Sequence, residues 1–233
     1  GRNEWGRAGY TLRAASLEDL DVVVDLINAA ALADTGRIGT NREDKTIEWG
    51  LPEFSLDTDT RLVVASDGML AGYVELWTHE PYVRAHAWGR VHPDHRNQGI
   101  GGQLLTWAEA RARQRLDDAP EGARVTLLVA DMHHNQAAHR LFRRHRFAPS
   151  RVFFRMLIEM EPGTPPPAPV WPEGVSVRPY ALGQDDRAVH RTIDLAFRDH
   201  WGYVNGESFE EWFHWIEEDK AFDPSLCFLA VTG

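Results

Sequence analysis

The sequence predicts an α/β (α+β) architecture: a mixed sheet flanked by helices, followed by a shorter stretch in which the same pattern begins again. Three observations carry this. Segments with apolar residues at a helical period are interleaved with short strand-like runs. One of those runs, "RVTLLVA" (Arg124–Ala130), is apolar throughout, as in a strand covered on both faces. A glycine-rich run, "HPDHRNQGIGGQLL" (His92–Leu105), joins a strand directly to an amphipathic helix.

The elements follow in order. "YTLRAA" (Tyr10–Ala15) reads as a strand, and Ser16 is placed to cap a helix from about Leu17 to Ala33 with acids in its first turn. Residues 34–60 are polar, with a short helix near Glu43–Gly50. "RLVVAS" and "LAGYVELWT" are strands joined at Asp67-Gly68, a strong hairpin signal. "RAHAWGRV" (Arg84–Val91) is a fourth strand. Residues 101–117 form a helix with Leu104, Leu105, Ala108, Ala112 and Leu116 on one side. "RVTLLVA" supplies a fifth strand, Asn135–His145 a further helix, and "RVFFRMLIEM" (Arg151–Met160) a closing strand.

"EPGTPPPAPVWPEG" (Glu161–Gly174) is a linker, because its prolines remove backbone donors and hold an extended path. The motif "TLRAA" at 11–15 resembles "SVRPY" at 176–180, and "RLVVASDG" at 61–68 resembles "LCFLAVTG" at 226–233; both pairs lie 165 residues apart. The expected organisation is a first domain over 1–160, a linker over 161–174 and, over 175–233, the N-terminal part of a second copy. That partial copy is too small to bury a stable core alone. The chain is therefore expected to be a fragment of a protein of about 320 residues, with a second glycine loop near position 264.

Composition narrows the function. The formal net charge of −10 argues against a nucleic-acid partner. No apolar run approaches the roughly 18 residues of a membrane helix, so no membrane partner is expected. The single Cys227 rules out an internal disulfide and suits a reducing, cytoplasmic setting. Residues 175–233 carry 5 basic against 11 acidic side chains. Such a surface serves solubility and can attract a cationic amine.

The glycine loop follows a strand and opens a helix, whose first N–H groups and partial positive charge make an anion site. Gly99 and Gly101 lack a Cβ that would keep a phosphate from the backbone. No lysine follows as in a Walker loop, and G-x-G-x-x-G is absent. The run Val91–Leu105 resembles motif A of the GNAT superfamily of acyl-CoA-dependent N-acyltransferases, with Arg96, Gly99 and Gly101 matching [RQ]-x-x-G-x-[GA] and Val91–Pro93 matching V-x-P. Asn135 and Ala138 fit the family's N-x-x-A after the fifth strand, and "LFRRHRF" (Leu141–Phe147) resembles its "LYxxxGF". The resemblance covers nearly all of residues 10–160. The two-copy plan resembles that of actinobacterial mycothiol synthases, in which the second copy is the catalytic one.

The resemblance implies acetyl-CoA as cosubstrate. Backbone N–H groups across Arg96, Asn97, Gln98, Gly99, Ile100, Gly101 and Gly102 would hold the pyrophosphate. Gly89, Arg90 and Val91 would pair their backbone with the pantetheine arm, with a bulge expected at Gly89 to part the fourth strand from the fifth. Asn135 would contact the pantetheine side, and Phe142 stands where many members carry an acidic tyrosine. Arg140, Arg143 and Arg144 could reach the CoA phosphates but equally suit a solvated helix face.

Amide formation needs a group to take the amine's proton. Glu75 and His86, titratable groups on otherwise apolar strands, are the candidates; the alternative is that both face solvent. Glu80, in a turn, is weaker. Asp131, His133, His134, His139 and His145 are crowded in sequence, but no H-E-x-x-H is present and no metal is expected. In this fold Glu43, Asp44, Glu48 and Trp49 would border the acceptor, although the same residues also suit an exposed short helix, while Phe209, Trp212, Phe213 and Ile216 suit a packed helix face. The expected activity is acetyl transfer to a primary amine of a small molecule. Two alternatives stay open: a first domain that binds acetyl-CoA without turnover, which Phe142 favours, and transfer to a protein or peptide amine. A homodimer is left open.

Overall fold

β1 (Tyr10–Arg13) pairs antiparallel with β2 (Thr60–Ala65), β2 with β3 (Leu70–Thr78), and β3 with β4 (Arg84–Val91); β5 (Thr126–Val129) joins β4 in parallel. This five-stranded sheet in the order β1-β2-β3-β4-β5 comes from a computed structural model that describes residues 9–154, 156–159, 163, 167–204 and 206–232. The β2–β3 hairpin turns at Gly68, whose φ of 88° favours glycine.

Strand alternation divides the core in two. Val63, Val74 and Leu76 point to one face, where α4 (Ile100–Gln114) lays Ile100, Leu104, Ala108 and Ala112 on them. Leu62 and Tyr73 point to the other, against Val23, Leu26 and Ile27 of α1 (Leu20–Thr35) and Trp49 of α2 (Arg42–Trp49). A one-turn helix α3 (Leu56–Asp59) leads into β2, and α5 (Gln136–Arg144) packs Leu141 against the first turn of α4. The helices match their predicted positions with shifted ends. The first predicted helix opens as a 3-10 turn at Leu17–Asp19, where Asp19 accepts from the Ser16 N–H at 2.8 Å, and the third closes in another at Leu116–Asp118.

Two strand expectations are corrected. β3 and β4 pair in unbroken register from Gly72↔Val91 to Thr78↔Ala85, so Gly89 is not a bulge; the irregular register falls at Val63/Val64 instead. Gly89 is required for closeness: a Cβ there would lie 2.6 Å from the Tyr73 carbonyl oxygen. The predicted closing strand is also not formed in its described part, residues 151–154 and 156–159, where Val152, Phe153, Phe154, Met156, Leu157 and Ile158 are all exposed. A strand apolar on both sides needs cover on both faces, and the four-residue β5 offers a short edge; Arg155 and Met160 lie outside the described residues.

After the linker, five residues of which lie outside the described set, comes β6 (Val175–Pro179), then α6 (Asp186–Phe197), α7 (Phe209–Glu218) and β7 (Phe228–Thr232). β6 and β7 pair antiparallel, the order and sense of β1 and β2. Arg178 forks onto Asp185 at 2.6 and 2.7 Å, as Arg13 forks onto Asp19 at 2.7 and 2.6 Å. Arg13 faces Leu62 and Arg178 faces Leu229, so the second connection is two residues longer and the constant 165-residue offset does not carry through the later strand. Gly233 lies outside the described residues. α7 lies beside α2: His214 Nε2 is 3.0 Å from the Ile47 carbonyl oxygen, and His79 Nδ1 is 3.2 Å from Glu211 Oε1. Phe209, Trp212 and Phe213 pack on one another rather than into a core.

The tight β3–β4 contact gives a test. Gly89→Ala forces a methyl group against backbone and is expected to cost about 1–3 kcal/mol, read from the urea midpoint; an unchanged midpoint would show slack between these strands.

Candidate active site

β4 has two different edges. On the β3 side it is paired throughout. On the β5 side pairing covers only Arg84–Ala87 against Thr126–Val129. From Trp88 to Val91 that edge has no strand partner among the described residues. The free backbone leads into the glycine loop, where Asn97 at φ 62° and Gly99 at φ 84° turn the chain so that α4 begins at Ile100. The first N–H groups of a helix have no partner within it, so those of Ile100, Gly101 and Gly102 are available. An extended thioester arm fits along the free edge of β4, and an anionic group fits at the start of α4.

The loop is held by its side chains. Arg96 makes two hydrogen bonds to Asp34 at 2.8 and 3.0 Å, at the end of α1. Tyr10 Oη donates to Gln98 Oε1 at 2.6 Å, tying the loop to β1. Gly101 has a second role: a Cβ there would stand 3.1 Å from Leu141, so glycine lets α5 approach α4. Asn135 caps α5, accepting from Ala138 N at 3.1 Å and donating to Asp131 at 3.2 Å. Phe142 lies between His139 and Phe147. Arg140, Arg143 and Arg144 are exposed.

On the α1/α2 face, beside the free edge, lies a cavity of about 420 Å³. Glu75 and His86 both line it, with Trp77 and Trp88 from the same strands and Trp215 from α7. In register Glu75 faces Trp88, and Trp77 faces His86. The sheet thus brings the two predicted proton acceptors to one cavity.

Their surroundings separate their roles. Glu75 is buried, and its carboxylate is already engaged: Tyr73 Oη donates to Oε2, and Lys45 Nζ lies 3.3 Å from the same oxygen. Trp49 Nε1 donates to Tyr73 Oη at 3.0 Å, completing a chain from α2 to the carboxylate. Lys45, buried, also pairs with Glu48 and lies over the rings of Trp88 and Tyr73 at 5.3 and 5.9 Å. Lys45 is therefore shared between two carboxylates, and Glu75 is the more buried of them. Burial lifts the Glu48 carboxyl above the usual carboxylate range, with Lys45 opposing. The His86 side chain stays open to solvent, and its partial desolvation holds the imidazole below its usual value, against the opposing pull of Glu75. Glu43 and Asp44 lie outside the cavity lining.

Lys45, Tyr73, Trp77, Trp88 and Trp215 were not legible as site residues. A lone lysine in a polar helix gives no sign of burial. The alternation His86-Trp88-Arg90 could have marked one face of β4, but Trp215 is distant in sequence. The histidines near Asp131 do not converge: His134 and His139 contact the carbonyl oxygens of Asp34 and Met132. Among the described residues one group could hold a metal, Glu53, His79 and Glu211, with ligand atoms within 4.8 Å of one another. Glu211 there already accepts from the Ser208 N–H and hydroxyl at 3.0 and 2.9 Å.

The buried pair makes a prediction. Lys45→Met leaves the Glu75 charge uncompensated and is expected to cost about 3–5 kcal/mol of folding stability. Adding Glu75→Gln should recover part of the loss. Chemical denaturation of the two single variants and the double variant reads the coupling, and strict additivity would exclude it.

The sequence pattern of the acetyltransferase (GNAT) family matches residues 25–147. A mycothiol acetyltransferase of Geodermatophilus obscurus is 31% identical over 211 residues, covering 91% of this chain and 64% of that protein. One from Frankia casuarinae is 33% identical over 215 residues, covering 88% and 54%. The crystal structure of a GCN5-related N-acetyltransferase from Sphaerobacter thermophilus superposes with a TM-score of 0.75 at 29% identity, covering 97% of this chain and 68% of that one. The chain thus spans between half and two thirds of the length of these curated relatives. With a five-stranded mixed sheet, a parting β4–β5 pair and a glycine-opened helix, the chain belongs to the acetyltransferase (GNAT) family.

Proposed function

We propose that this chain serves acetyl transfer from acetyl-CoA to a primary amine of a small molecule. One observation carries the reading: the unpaired edge of β4 at Trp88–Val91 joins the glycine start of α4 at one end and borders the Glu48/His86 cavity. The pantetheine arm pairs with that edge and the pyrophosphate takes the N–H groups of Ile100, Gly101 and Gly102. This places the thioester beside the cavity. The ammonium of the acceptor is received by Glu48 among the faces of Trp77, Trp88 and Trp215, where cation–π attraction adds to charge. The bound ammonium gives up one proton to solvent to free its lone pair, and His86, whose pKa partial desolvation lowers, takes the second proton as the amine attacks the carbonyl carbon. Glu75 orients Lys45 and does not act as base. The mycothiol acetyltransferase relatives support a small-molecule acceptor.

Phe142 favours a second reading, in which this domain holds acetyl-CoA and the residues from Val175 onward belong to a second copy that carries out catalysis. The β6–α6–α7–β7 order and the Arg178–Asp185 fork support such a repeat. Against a purely passive first domain stands the composite cavity, which Trp215 of α7 helps to line.

Gly99→Val should weaken acetyl-CoA binding at least roughly tenfold, about 1.4 kcal/mol, because a β-branched residue resists φ 84° and its methyl groups face the anion. Calorimetry on protein with an unchanged circular dichroism spectrum checks this, and equal affinity would move the cofactor elsewhere. For turnover, kcat/KM should rise with pH through an apparent pKa below the ordinary imidazole value, since His86 works only when neutral. His86→Gln should lower kcat by about a hundredfold and remove that limb; a profile unmoved by the substitution would assign the base to another group.

A further inference from the structure

Arg90 stands on the free stretch of β4, two residues beyond Trp88 and so on the same face of the sheet. Its guanidinium lies over the Trp88 indole at 4.3 Å, and Nη1 donates to the Gly89 carbonyl oxygen at 2.9 Å. Among the described residues no carboxylate comes within ion-pair distance of it. The nearby Arg96, by contrast, is paired with Asp34. The charged groups around Arg90 are Asp131 at the end of β5, Asp34, Arg96 and Glu75, which set it between the glycine loop and the cavity. Burial disfavours its charge, and the Trp88 ring and the Gly89 carbonyl oppose that cost without an ion pair to neutralise it. A fixed, half-buried cation of this kind is matched to an anion that arrives with the ligand or forms during reaction.

In the proposed reaction the cofactor's phosphates are negative throughout, and negative charge passes from the carbonyl oxygen of the tetrahedral centre to the departing sulfur. The pyrophosphate is served by the start of α4, whereas the sulfur lies beside the free edge that bears Arg90. We propose that Arg90 is a catalytic residue whose guanidinium contacts the CoA sulfur and stabilises the thiolate as it leaves. This rests on the reading that the slot holds acetyl-CoA. As the amine nitrogen bonds to the carbonyl carbon, the carbon–sulfur bond breaks and its electron pair goes to sulfur. The amine proton goes to His86, and the thiolate is held by Arg90 until solvent protonates it. Phe142 has no proton to give, and on this route none is needed at that position.

The test measures the thiol of bound CoA and does not require the acceptor. Thiolate absorbance of the CoA complex is titrated against the desulfo-CoA complex as blank, in the unaltered protein, Arg90→Lys and Arg90→Met. The expected result is that bound CoA ionises about one pH unit or more below free CoA in the unaltered protein. Arg90→Met should return it to the free value, and Arg90→Lys should retain part of the shift. Desulfo-CoA should bind all three proteins within about threefold, since only the sulfur interaction is altered. An unshifted thiol in the unaltered protein that binds CoA overturns the role of Arg90 and leaves the slot in place. A thiol shift that persists in Arg90→Met, or a loss of desulfo-CoA affinity in that variant, likewise overturns it, the latter in favour of a phosphate contact. Failure of the unaltered protein to bind CoA or desulfo-CoA overturns the slot and the role together.

Discussion

β4 is held along its whole length by β3 and along only half of it by β5, and the site depends on that asymmetry. A sheet interior normally consumes every backbone N–H and C=O, because an unpaired buried polar group is costly. Here the Trp88–Val91 edge has no strand partner among the described residues, its Gly89 carbonyl accepting only from the Arg90 side chain, next to a helix start whose N–H groups have no partner within the helix. The firm side makes the open side possible. Gly89 lets β3 close up against β4, and Gly72 does the same beneath Ile100 of α4, where a Cβ would stand 2.7 Å away. The Arg96–Asp34 and Tyr10–Gln98 contacts then fix the loop against α1 and β1, so its shape is set by the protein's own side chains.

The cavity beside this edge solves a different problem. Two carboxylates and an ammonium are placed on an aromatic face of the sheet, where isolated charges would be untenable. Lys45 and Tyr73 satisfy Glu75, Trp49 satisfies Tyr73, and Glu48 keeps part of its surface open. The result is a graded set of groups: two carboxylates that share Lys45, one buried and one partly open, and an exposed imidazole whose pKa is lowered. Chemistry with an amine needs such a division, because a group that is already fully bonded cannot also receive a proton.

The residues from Val175 onward contribute more than a strand order like that of β1 and β2. Trp215 lines the cavity, while His214 and Glu211 anchor α7 to the end of α2 and the end of β3. The Arg–Asp fork that ends β1 reappears after β6 with the same pair of hydrogen bonds, and both aspartates also accept from a backbone N–H of the turn they cap, at Ser16 and Ala181. The same local solution to the same strand-to-helix turn is thus used at both places, although the strand that returns to pair does so two residues later in the second.

The sequence by itself determined the order of elements through Asn135–His145, the hairpin at Asp67-Gly68, the glycine start of α4 and the cap at Asn135, because each follows from local periodicity, turn chemistry or helix-end geometry. It also marked Glu75 and His86, since a titratable side chain on an apolar strand is visible without coordinates. Tertiary structure decided the rest. Only strand register places Glu75 opposite Trp88, and only the packing of α2 brings Lys45 onto its carboxylate. Only the close approach of β3 explains why residue 89 is glycine, where a bulge was expected. The run at 151–160 has the composition of a strand, but a strand needs an edge to pair with and cover for its faces, and neither requirement is written in its own residues. Trp215 joins the cavity from a unit that begins beyond the linker, by packing between helices that no local pattern specifies.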